Sequence, residues 1–156
     1  MLRIAPRGRA PNRVAVRVLH PRARTTGPTL ARAARRFLSR LALRECELSI
    51  LVVGDSAIRR LNRRWRRKDE PTDVLSFPAG DWPTLPRGAA VLGDVVLSFD
   101  TAARRARGSA AAVRGELERY LAHGLLHLLG YDHHTRTEAC TMAAMEQRLL
   151  GDRGLI

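Results

Sequence analysis

Aromatic residues, cysteine and lysine are all scarce in this chain. Aromatics make up 4% of its 156 residues, too few for the rows of stacking platforms on which sheet-based nucleic-acid modules read bases. The two cysteines, Cys46 and Cys140, have no CxxC spacing, which excludes a cysteine zinc knuckle and a disulfide framework. Both read as small buried apolar residues. No apolar run approaches the length of a membrane span, and the N-terminus lacks the apolar stretch of a secretory signal. A cytoplasmic protein is therefore expected. Lys68 is the only lysine among 28 basic residues. Acid is also in short supply, at 15 residues, leaving a formal net charge of +13. Such an excess favours a polyanionic partner, nucleic acid ahead of a membrane surface.

The 45% hydrophobic content is enough to build one domain. Residues 1–12, rich in Arg, Pro and Gly, read as a flexible basic arm, and 13–156 as a single domain. Alternating Val14, Val16 and Val18 predict a strand. Leu30, Ala33, Ala34, Phe37, Leu38 and Leu41 recur at helical spacing after Pro28. Leu48, Ile50 and Val52 predict a second strand ending at Gly54. Asp55 or Ser56 is placed to cap a short helix burying Ile58, Leu61 and Trp65. Val74 to Phe77 predict a third strand, and Val91 to Leu97 a fourth, on either side of an exposed loop at 79–90. Ser98 or Asp100 opens another helix, broken at Gly108-Ser109. A long helix over about 110–129 turns Val113, Leu117, Leu121, Leu125 and Leu128 inward, and a last one covers about 137–150. The fold class is α/β (α+β): a small, mostly four-stranded mixed sheet packed by helices.

Four of the five histidines lie between positions 123 and 134. His123 and His127 stand four apart, on one face of the long helix in the C-terminal half, close enough to share an ion. Gly130 allows the helix to stop in a left-handed turn, which lets His133 swing back as a third ligand. Three neutral imidazoles suit zinc, one ion per chain, and leave the fourth coordination position open, as a catalytic site requires. His134 reads as a surface neighbour and His20 as unrelated. The spacing HxxxHxxGxxH matches the metzincin peptidases in its ligands, but their general-base glutamate is replaced by Gly124. Asp132 is open to two readings, as a partner of a ligand or as a brace for the turn after Gly130.

The run HGLLHLLGYDH at 123–133 resembles the signature of the YbeY family of bacterial endoribonucleases and ribosomal-RNA maturation factors. The block from Leu61 to Pro78, LNRRWRRKDEPTDVLSFP, resembles that family's LNxxYRxKDxPTDVLSFP, with Trp65 where Tyr is usual. Leu92-Gly-Asp-Val-Val-Leu97 and Met145-Glu146 also fit, so the likeness runs from about 45 to 150. The segment before Val14 has no counterpart, and His134 departs from the pattern.

The resemblance implies a zinc-dependent endoribonuclease acting on single-stranded RNA, in 16S ribosomal-RNA processing and ribosome biogenesis. It places the active-site arginine at Arg66, with Arg67 and Lys68 as further substrate contacts. A guanidinium grips phosphate oxygens bidentately, which suits that role. Asp73 is read as a brace for its loop or as a partner of a ligand histidine, and Asp94 as structural. Ribosomal subunits or assembly proteins are the implied partners. Two rivals stand beside this reading: an RNA-binding assembly factor with a structural zinc, and a small metallopeptidase.

Overall fold

Alternation along the strands sorts apolar side chains onto two faces of one sheet. The computed structural model describes residues 10–80 and 90–151. Strand β1 is Arg13–Val18, β2 Cys46–Val53, β3 Val74–Pro78 and β4 Ala90–Ser98. Helix α1 is Thr26–Arg40, α2 Asp55–Arg66, α3 Phe99–Ala106, α4 Ala110–Leu128 and α5 Arg136–Leu150. The sheet order is β1-β2-β4-β3; β1, β2 and β4 run parallel, and β3 lies antiparallel along the edge of β4. The mixed four-stranded sheet expected from the patterning is thus present.

One face carries the main core. Leu48, Ile50, Val52, Val95 and Leu97 meet Phe37 and Leu38 of α1 and Leu117, Leu121 and Leu125 of α4. The other face carries a smaller cluster, in which Val53, Leu75 and Val96 pack under Ile58 of α2. Between β2 and β4 the register shifts so that Leu92 is the extra residue. Gly93 beside it has φ +134°, and a Cβ there would lie 2.2 Å from the Phe77 carbonyl oxygen.

Three local details differ from expectation. Trp65 is 61% exposed: the apolar stripe of α2 runs past the core, and the indole rests edge-on against Phe77 with ring centroids 6.1 Å apart. Cys46 is buried but Cys140 is exposed, because it lies more than half a turn from the buried Met142 on α5. Helix α2 is capped by Gly54 without a side-chain bond. Asp55 instead accepts from Ser98 and Thr101 and pairs with Arg104, tying α2 to α3. Ser98 is the side chain that caps α3.

The expected basic arm falls largely outside the described residues, and so does most of the 79–90 loop. Residues at the inner end of the arm are anchored. The Ala10 amide donates to Glu45, and the Asn12 side chain bridges the Leu43 carbonyl and the Cys46 amide. No helix among the described residues is long and apolar enough to cross a membrane.

Helix α4 lies tight against the sheet at Gly124. A Cβ there would stand 2.7 Å from Val95 Cγ1 and 2.9 Å from Val74 Cγ2, and the Ser76 hydroxyl donates to the Gly124 carbonyl at 2.8 Å. Overpacking such a seam costs about 1–3 kcal/mol. Gly124→Val should lower stability by about that amount, read as a shift of the urea midpoint at unchanged m-value.

Candidate metal centre and basic cleft

Helix α4 places His123 and His127 on its partly exposed face, opposite Leu121, Leu125 and Leu128. Its end is a Schellman turn: the Tyr131 amide bonds the Leu126 carbonyl and the Gly130 amide bonds the His127 carbonyl, each at 3.0 Å. Gly130 adopts φ +92° with nothing within 4 Å of a Cβ position. The turn therefore needs glycine for its backbone, not for space. It sends the chain back, so that His133 reaches the two helical imidazoles.

The three rings converge, one ring nitrogen from each lying within 4.8 Å of the others. Centroid separations are 4.6 Å for His123–His127, 5.2 Å for His127–His133 and 5.6 Å for His123–His133. Nε2 of His123 and Nε2 of His127 stand 3.0 Å apart, two imidazole nitrogens aimed at one point. Burial holds the His127 imidazole below the usual histidine range, and His123 and His133 push the same way. A neutral ring is what metal ligation demands. The donor set therefore fits a divalent metal.

Glu146 carries the far side of His123. Its Oε1 lies 2.5 Å from His123 Nδ1, leaving Nε2 to face the other rings. No local spacing in the sequence links Glu146 to the histidines. A signal was present: Met142, Glu146 and Leu149 share one stripe of α5, and the first and last are buried. An acid on a buried stripe needs a partner.

The histidines line a cleft of about 730 Å³ together with Arg66, Lys68, Thr72, Asp73 and His134. Arg66 is close enough to act electrostatically on His127. Arg67 is not among the lining residues; it takes φ 59° and ends α2 in a left-handed turn. The Asn62 side-chain amide donates to the Glu70 carbonyl, and the Asn62 backbone carbonyl accepts from the Lys68 amide, which fixes this turn.

Neither aspartate proposed beside the ligands bonds a ligand side chain. Asp73 accepts from Arg105, the Val74 amide and the Thr72 hydroxyl. Burial alone would raise its carboxyl, but these bonds outweigh it and hold it below the ordinary range. Two of these bonds tie it to its own loop and the third to α3. Asp132 accepts from the His133 amide and pairs with His134, so it fastens the turn that presents His133. His20 lies elsewhere, paired with Asp100 at 2.8 Å. Asp94 is exposed on β4, outside this cleft.

Position 124 decides against the peptidase arrangement. A side chain there would point into Val74 and Val95 of the sheet, so no base could stand where the metzincins hold theirs.

Comparison with known proteins agrees with this geometry. The family model described as endoribonuclease YbeY matches residues 23–154. The chain belongs to the endoribonuclease YbeY family. A Myxococcus xanthus member named endoribonuclease YbeY is 52% identical over 145 residues, 93% of this chain and 49% of the relative. An Anaeromyxobacter sp. member of the same name is 53% identical, over 88% of this chain and 70% of that one. The chain thus spans about half the length of the first relative and more than two thirds of the second. A Thermotoga maritima protein solved in solution shares the fold, with a TM-score of 0.57 at 20% identity, covering 89% of this chain and 90% of that one.

Outer partners of ligand histidines typically contribute roughly 10–100-fold in metal affinity. Glu146→Ala should weaken metal binding by that order and leave the fold intact, as read by chelator competition alongside far-UV circular dichroism. Unchanged affinity would remove Glu146 from the site.

Proposed function

We propose that this chain is a zinc-dependent endoribonuclease that cuts single-stranded RNA. One zinc ion per chain would be held by His123, His127 and His133. The observation that supports this most is the facing of two unlike groups across one cleft: a converging imidazole trio on α4 and the turn after it, and the exposed cations Arg66 and Lys68 at and just past the end of α2. Zinc, when bound, would supply Lewis-acid polarisation of a phosphodiester oxygen.

The chain's own residues do the rest. The Arg66 guanidinium grips the scissile phosphate and balances the charge that builds on it in the transition state. Lys68 adds a second cation on the same side. Glu146 keeps His123 in one orientation, and Asp132 holds the turn bearing His133. RNA brings its own nucleophile in the 2′-OH. A 2′,3′-cyclic phosphate on the product would mark attack by that hydroxyl, and its absence attack by water.

The relatives' name supports RNA as substrate, and the net charge of +13 supports a polyanion independently. We place the activity in 16S ribosomal-RNA maturation in the cytoplasm, with ribosomal subunits or assembly proteins as partners.

Arg66→Ala tests the assignment. It should keep metal and fold while lowering single-turnover cleavage by roughly 10²–10³-fold, the scale of one lost contact to developing charge. Unchanged turnover would move the phosphate grip to Lys68.

A further inference from the structure

A second cleft, of about 780 Å³, opens on the α2 side of the sheet, between Trp65 and the strand residues Ala15, Ser49, Leu51, Phe77 and Asp94. Pro78 lines both this cleft and the metal cleft, so the two meet over the edge strand β3. Trp65 and Arg66 are adjacent at the end of α2, yet the first borders the apolar cleft and the second the metal cleft.

Trp65 is an unusual surface residue. An indole carries a large apolar area and is seldom left open to water, but this one is 61% exposed. Phe77 props its edge, and the Arg64 guanidinium carbon lies 5.4 Å from its ring centroid. Of the α2 arginines, only Arg59 has an ion-pair partner, Asp69, among the described residues. Arg64 thus stands beside the indole, and Arg60, Arg63 and Arg66 add exposed positive charge along the same helix without an ion-pair partner among the described residues. An apolar ring within a field of cations matches a nucleotide: the base has a π-face for the ring and the backbone has phosphates for the arginines. Asp94, the acid in the cleft, is an acceptor for the amino group of a base.

We propose that Trp65 and its cleft bind one unpaired base of the strand whose phosphate rests on Arg66. The RNA then crosses from the metal cleft over Pro78, with consecutive protein residues gripping phosphate and base. The inference rests on the endoribonuclease reading and adds a base subsite to it. Stacking tolerates any base, so the subsite selects for unpaired RNA and not for a sequence.

The test uses the full chain and a single-stranded RNA oligomer, together with a series in which one base at a time is removed and its ribose and phosphate are kept. Equilibrium binding is measured at fixed salt, and cleavage of the same oligomers separately. Wild type should lose roughly ten-fold in affinity at one base position. Trp65→Ala should show the same loss on intact RNA and be indifferent to that missing base, and Trp65→Tyr should restore the dependence. Because no charge changes, the salt slope should stay the same. Equal affinity of Trp65→Ala and wild type, with identical base profiles, would overturn the proposal and leave the cleft to a protein partner. Cleavage without base dependence would keep the endoribonuclease reading and remove the subsite. Base dependence at Trp65 without cleavage would keep the subsite and remove the endoribonuclease reading.

Discussion

The approach of α4 to the sheet at Gly124 is the constraint on which the site depends. Without a side chain there, the helix backbone lies directly on Val74 and Val95 and is tied to Ser76. The partly exposed face is then the one bearing His123 and His127, at the rim of the sheet beside β3. Six residues later the Gly130 turn returns His133 to the same point. A side chain at 124 would lift the helix, and the imidazoles would move relative to Arg66 on α2. One glycine thus sets the helix height and another sets the return of the chain.

Electrostatics then sort the cleft into two halves. On the α4 side burial and the two neighbouring rings hold the His127 imidazole below the usual histidine range, and Glu146 orients His123. On the α2 side Arg66 and Lys68 stand exposed without acidic partners among the described residues. The nearby carboxylates are already engaged: Asp73 with Arg105, and Asp69 with Arg59. The cleft therefore sets converging imidazole nitrogens opposite exposed cations, while the carboxylate that lines it, Asp73, is engaged with Arg105.

Much of this was legible in the sequence, because the relevant signals are local. Alternation at Leu48, Ile50 and Val52 located a strand, and HxxxHxxGxxH located the histidines, the turn and the missing base. What was not legible depends on tertiary placement. Trp65 continues the apolar stripe of α2 perfectly well, and only the extent of the sheet beneath shows that it overhangs. Asp55 has the chemistry of a cap, but α3 competes for it through Arg104 and Thr101. Cys140 looks like any small apolar residue until the buried side of α5 is known. Glu146 is 23 positions from His123, and no local spacing connects them. Asp73 and Asp132 sit beside the ligands, but hydrogen-bond partners decided their roles and proximity did not.

The central claim is that the imidazole trio holds a catalytic ion and not a structural one. The most direct measurement compares labelled single-stranded RNA incubated with the metal-loaded protein and with the metal-free protein, shown to be folded by circular dichroism. Cleavage should vanish on metal removal and return with zinc, while RNA affinity stays within a few-fold, because arginines set it. Full cleavage by the metal-free, folded protein would contradict the account, as would a loss of fold and RNA binding together when the ion is removed.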